Sequence, residues 1–336
     1  MKERNSYWDN LRFALICLVV VSHGLFPHNE VGEITSIIIV FINTFHMPLF
    51  IFVSGMFHTN KNLTKRIVLL LVYYLYCKIL ILEINHLVYG SEKIISLFSE
   101  NTFPWFLLAL VSYTLLTYWV RELHPGFILV VALVVGCVAG YDSMITGSEV
   151  LTRVVVWFPY YYMGAVLNKD KILEFIKQKY VRISGICIVV AWIGICVCFR
   201  KDIWNIMYLS MPTCTYANIP YTCNGTTRLF HYMLVCLIGM GIMTLIPRRK
   251  IVGVSKWGTA TLQVYIYHLF VRGIVEKYGI GNYFCSNDLL TIIYCFINVG
   301  ITIILSQDIF SIPTNLIKKY CFANLKDKNA NKRLEC

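Results

Sequence analysis

Ten apolar stretches punctuate the chain, near 9–27, 34–57, 64–89, 103–120, 126–140, 150–167, 181–199, 229–246, 257–275 and 288–312. Each reaches, or nearly reaches, the roughly 20 residues a helix needs to cross a bilayer. The fifth is the shortest. The pattern predicts an all-α polytopic membrane protein of about ten transmembrane helices. Residues 1–312 read as one integral-membrane domain and 313–336 as a basic cytoplasmic tail. The first run is not read as a signal peptide. No A-x-A-like cleavage site follows it, and Ser22, His23 and Pro27 stand where one would lie.

Charge sets the orientation. With the N-terminus inside, twenty-two of the 30 Lys and Arg residues fall in inner segments and seven in outer ones, with Lys78 inside a run. That asymmetry places both termini in the cytoplasm. Of the 336 residues, 57% are hydrophobic and 14% charged, against about 25% charged in soluble domains. The net charge of +12 sits in short segments between apolar runs, so it points to a membrane and not to nucleic acid. Most of the 13 cysteines lie in the runs, where Cys acts as a small apolar residue. Cys214 and Cys223 share the longest outer loop; a bridge and two free thiols both fit. No paired C-x-x-C or H-E-x-x-H occurs, so no metal site is expected. "GCVAG" (Gly136 to Gly140) reads as close helix packing. The sequon Asn224-Gly-Thr226 reads as chance, and the aromatic run "PYYYMG" mostly as part of an interfacial belt.

The informative positions are polar groups inside apolar runs. In "RFALICLVVVSH", Arg12 and His23 are eleven residues apart, which on a helix returns to within about 20° of one face with a rise of about 16 Å. Arg12 alone also fits a positive flank of the span, and His23 alone a histidine bonded to a carbonyl. Ionisable groups in spans are costly and usually face a cavity, so the aligned pair favours function. Asp9 is placed to pair with Arg12 at i,i+3. In the second run Pro48 deprives the Thr44 carbonyl of its helical partner, and Asn43, Thr44 and His46 gather at the expected break. His46 fits a substrate contact or a cap on a freed carbonyl. His268, Arg272 and Glu276 form a four-residue ladder on one helix face, either functional or purely stabilising. Arg153 is an isolated outer cation, and Trp105 an interfacial anchor or a sugar platform.

These segments carry a resemblance. "DNLRFALICLVVVSH" resembles the D-x-L-R, ten residues, then H signature of the membrane-bound acyltransferase family 3. "FHMPLFIFVSGMF" (Phe45 to Phe57) resembles that family's second span, in particular its fucose 4-O-acetylase-like branch. "PWFLLAL", "RVVVWFPYYYMGAVL" and "GTATLQVYIYHLF" (Gly258 to Phe270) are similar to later motifs. Val72 stands where many members have proline, which bears on a kink in the third span.

The resemblance implies a ten-span O-acyltransferase, most simply an O-acetyltransferase, of the bacterial inner membrane. Its donor is a cytoplasmic acyl-CoA such as acetyl-CoA, a co-substrate and not a bound cofactor. Its acceptor is a surface polysaccharide or lipid-linked sugar. On this view His23 is the general base and Arg12, oriented by Asp9, meets donor phosphates with help from Arg66 or Arg248. His46, Asn43, Trp105, Arg153, His268 and Arg272 contact substrate. A different class also fits intramembrane charges and broken helices: a transporter, or a polysaccharide flippase or polymerase. No matching pair of broken segments marks an inverted repeat, which weighs toward transfer.

Overall fold

The computed structural model describes residues 5–28, 32–90, 104–199, 215–218 and 223–331, without the side chains of 89, 149 and 323–331. Among the described residues every regular element is helical. The main ones are α1 (Ser6–Leu25), α2 (Glu33–Met56), α3 (Leu63–Tyr89), α4 (Trp105–Trp119), α5 (Pro125–Val138) and α6 (Glu149–Val166). They continue with α7 (Lys169–Lys177), α8 (Lys179–Cys198), α9 (Gly225–Leu245), α10 (Thr261–Lys277), α11 (Asp288–Leu305) and α12 (Ile312–Asn331).

Each of the ten apolar runs contains a helix. Among the described residues six helices, namely α1, α2, α3, α8, α9 and α11, are long and apolar enough to cross a membrane. α6 and α7 make a seventh if taken together, bent by 91° at their junction. α4, α5 and α10 are shorter. The last run is cut back: α11 stops at Leu305, and the tail begins a new helix at Ile312. The start of that helix is docked. The Tyr73 hydroxyl donates to the Thr314 carbonyl at 3.1 Å, and the Lys65 ammonium lies 5.8 Å over the Phe322 ring.

α2 corrects the expected break at Pro48, since it runs unbroken from Glu33 to Met56. Proline removes one N–H donor, and the turn before it is braced by side chains. The Thr44 hydroxyl donates to the Val40 carbonyl (2.7 Å), and His46 Nδ1 to that of Ile42 (2.9 Å). α3 is likewise continuous through Val72.

α6 lies at the centre, packed on α2, α4 and α5. Its crossing with α2 is set by two glycines. A Cβ at Gly55 would overlap the Tyr161 carbonyl, and one at Gly164 would overlap that of Phe52. Backbones this close admit no side chain. Tyr160, Tyr161 and Tyr162 are all buried to 3% exposure or less. They are core residues and not belt residues, because the helix that carries them is surrounded. Tyr161 stacks on Tyr113 with centroids 5.1 Å apart.

The N-terminal end of α1 is pinned. Asn5 caps it by accepting from Tyr7 N–H, and the Tyr7 hydroxyl donates to the Met243 carbonyl at 2.7 Å. The Asn10 amide donates to the carbonyls of Pro247 and Arg249 and accepts from Ser255. Gly258 abuts the Asp9 carbonyl so closely that a Cβ would overlap it. Asp9 and Arg12 are thus held by the segment 247–258, remote in sequence. The Asn224 side chain accepts from the Thr226 and Thr227 amides in a capping box that starts α9.

Candidate functional site

α1 joins two polar clusters. The first gathers at its N-terminal end around Phe57, just past the end of α2. The Arg12 guanidinium lies 3.8 Å from the Phe57 ring centroid, and the Lys169 ammonium also 3.8 Å. One ring thus carries two cations, each a favourable cation–π contact. Arg66 adds a third, donating to the Phe57 carbonyl at 3.4 Å and the Tyr161 hydroxyl at 3.5 Å. Asp9 pairs with Arg12 at 3.6 Å, as the i,i+3 spacing predicts. Burial first, and the Arg12 charge second, lower the pKa of Lys169 from its ordinary value. Burial and, less strongly, Arg66 lower that of His58, against a hydrogen bond to Asn60. His58 Nδ1 sits 3.1 Å from the Tyr161 hydroxyl. Asp9 on Arg12 and Asp170 near Lys169 offset part of this charge, and three cations against two carboxylates leave the cluster net positive.

Lys169 is brought there by the sharp bend between α6 and α7. Asn168 drives that bend by capping α7, accepting from the amides of Asp170 and Lys171. Sequence reasoning missed Lys169, since helical periodicity says nothing about a residue across a bend. Arg248 goes elsewhere, donating to the Ile176 carbonyl.

The second cluster sits further along the same helix. The rings of His23 and His268 lie 5.3 Å apart at 50°. Both line a narrow cleft, about 10 Å³ in volume, with Arg272 and Asn298. His46, Arg153, Arg272 and His268 all stand within electrostatic reach of His23. His268 Nδ1 lies 3.0 Å from the Val264 carbonyl. A carbonyl only accepts, so that nitrogen carries the proton and a neutral ring keeps its lone pair on Nε2. The same logic holds for His46 on Ile42. Arg272 donates to Glu276 at 2.6 Å, the i,i+4 ladder the spacing predicts. Asn298, which sequence reasoning passed over, donates to the Tyr294 carbonyl at 2.8 Å and packs against Gly24, beside His23.

Trp105 and Arg153, expected separately, meet. The Arg153 guanidinium lies 4.7 Å from the Trp105 ring centroid, and Trp157 stands 5.3 Å from the same indole. The Tyr113 hydroxyl fixes the Arg153 backbone by donating to its carbonyl at 2.7 Å. Asn43 is engaged by Ser22, whose hydroxyl donates to its side-chain oxygen at 2.7 Å. That bond ties α2 to α1 one residue before His23. Of the loop cysteines, Cys223 is a free thiol, and Cys214 lies outside the described residues.

The arrangement offers a cation cluster and a histidine cleft joined by one helix. Comparison with known proteins places it. The family model described as an acyltransferase domain matches residues 5–307, nearly the whole chain and both clusters. No curated protein and no solved structure matches.

Proposed function

Because the chain belongs to the acyltransferase-domain family, we propose that it moves an acyl group, in the simplest case acetyl, from cytoplasmic acyl-CoA to a hydroxyl of an envelope or exopolysaccharide sugar. The observation that carries this reading is the single helix α1, with Arg12 in the cation cluster and His23 in the histidine cleft. Their rise of about 16 Å matches an extended pantetheine arm in scale. Arg12, Lys169 and Arg66 meet the donor's phosphates, and Asp9 orients Arg12.

With its thioester beside His23, the neutral imidazole takes the proton of the sugar hydroxyl as its oxygen attacks the thioester carbonyl. The C–S bond then breaks, and the departing CoA thiolate recovers the proton from His23. His268 and Arg272 line the cleft with His23, and His46 and Asn43 on α2 complete the proposed substrate contacts. The Trp105 ring with Arg153 contacts the acceptor, an aromatic face suiting sugar C–H and a guanidinium suiting polar or anionic substituents. The second span, "FHMPLFIFVSGMF", favours the fucose 4-O-acetylase-like branch. The Lys and Arg distribution supports cytoplasmic termini and ten crossings, with the shorter α4, α5 and α10 completing the count. The setting is a bacterial inner membrane, where lipid surrounds the bundle and the acceptor is a surface polysaccharide or lipid-linked sugar.

Purified protein in detergent with radiolabelled acetyl-CoA and a polysaccharide acceptor tests the reading. Label appearing on sugar with release of CoA supports it. Substrate flux through proteoliposomes without CoA release would replace it with a carrier.

A further inference from the structure

Away from both clusters, α9 buries an arginine completely. Arg228 is 0% exposed, in the first helical turn after the Asn224 cap. Its Nε donates to the Tyr216 hydroxyl at 3.1 Å, and that hydroxyl donates to the Cys137 carbonyl at 2.7 Å. Both Nη groups are buried with no hydrogen-bond partner. Among the described residues no carboxylate pairs with it. Guanidinium is always charged, and a buried charge without a counterion is strongly destabilising. Its place near a helix N-terminus adds to the deficit of negative charge, because the helix dipole disfavours cations there.

Two more groups share the condition. His231, one turn on along the same face of α9, has a buried Nε2 without a partner, and so does the Tyr160 hydroxyl on α6. Both lie within reach of the Arg228 charge. Tyr160 packs on Tyr232 with centroids 5.4 Å apart, and Tyr232 is fixed by donating to the Val156 carbonyl at 2.6 Å. The "GCVAG" segment at the C-terminal end of α5 and the turn after it makes this possible. A Cβ at Gly136 would overlap the Tyr232 hydroxyl, and one at Gly140 the Tyr216 ring. Those glycines admit the two tyrosines beside Arg228, where helix-on-helix packing alone was expected.

We propose that Arg228, His231 and Tyr160 form a buried oxyanion site between α6 and α9, separate from the histidine cleft, that takes a phosphate or carboxylate group. The Nη fork matches the two oxygens of either group, and His231 and the Tyr160 hydroxyl supply further polar contacts. The opposite face of α9 carries the exposed Leu229, Phe230, Met233 and Leu237, so the Arg228 guanidinium faces the bundle interior. The site does not depend on the acyl-transfer reading.

Thermal unfolding of the full chain in detergent tests it, with sodium phosphate or sodium acetate replacing sodium chloride at constant ionic strength. The expected result is a saturating rise of about 2–4 °C at tenfold the dissociation constant for one of the two oxyanions. Arg228→Gln should abolish the rise. Tyr160→Phe, which removes one oxygen and is expected to fold, should weaken binding about three- to tenfold. Native mass spectrometry of the purified protein separates the sources: retained mass of a phospholipid marks a lipid headgroup, and its absence with a phosphate-dependent rise marks the free anion. No rise with either oxyanion and no retained anionic lipid overturns the proposal, as does an equal rise in wild type and Tyr160→Phe.

Discussion

His23 and His268 face each other across 5.3 Å between ring centroids, on helices far apart in sequence. The His268 ring is oriented by its bond to the Val264 carbonyl, with Nε2 left as the acceptor nitrogen. Of the pair, His23 is the member on α1, above the cation cluster. On the proposed reading His268 acts as its partner. His268→Gln should lower kcat by about tenfold, the scale of one hydrogen bond, and leave the KM for acetyl-CoA unchanged. Steady-state kinetics on the purified variant checks this.

The cation cluster predicts a different kinetic signature. Lys169→Ala removes one of two cations on the Phe57 ring. A hydrogen bond to a charged group contributes about 1.5–3 kcal/mol, so the KM for acetyl-CoA should rise at least about tenfold while kcat is kept. Arg12→Ala should be more severe, and Arg12→Lys should restore activity only in part, since lysine lacks the fork. Unchanged KM in Lys169→Ala would remove that residue from the donor pocket.

Packing gives a prediction free of chemistry. Gly55→Ala pushes a methyl into the α6 backbone at Tyr161, where nothing can swing aside. Overpacking of this kind costs about 1–3 kcal/mol or more, so the melting temperature should fall by several degrees. Gly300, in the middle of α11, has open space where a Cβ would go. Gly300→Ala should leave the melting temperature level or raise it.

What the sequence disclosed and what it hid divide along the helix itself. Relations within one helix follow from its 3.6-residue period, so Asp9 with Arg12 and Arg272 with Glu276 were readable and are present as ion pairs. The ten helical runs were readable because apolar stretches are their own signal. Relations between helices were not. Nothing in the pattern says that Lys169 crosses a bend to reach Phe57, that Asn298 stands beside His23, or that Arg153 settles over Trp105. The buried tyrosines of α6 were misassigned because belt and core use the same residues, and only the central position of that helix separates them. Pro48 misled for a related reason: proline weakens a helix locally, but side-chain bonds brace the turn before it and the helix continues.

The cluster around Tyr161 carries a pH dependence. His58 is held below the ordinary histidine value, first by burial and then by Arg66. Below about pH 6.5 the unfolded chain binds a proton that the folded chain resists. Stability therefore rises with pH through that region and levels off above it. His58→Gln should flatten this part of the curve relative to wild type in melting temperatures taken from pH 5 to 8. An identical slope in both proteins would assign the acid sensitivity to other groups.

The central claim is that His23 takes the acceptor proton, and turnover of two substitutions tests it most directly. General-base assistance contributes about 100- to 10,000-fold. His23→Ala should lose at least about two orders of magnitude in acetyl transfer while folding and binding acetyl-CoA normally. His23→Gln, which still forms hydrogen bonds but takes no proton near neutral pH, should be equally inactive. Substantial turnover in His23→Gln would contradict the account, leaving His23 a hydrogen-bonding residue and moving the base to His268 or His46.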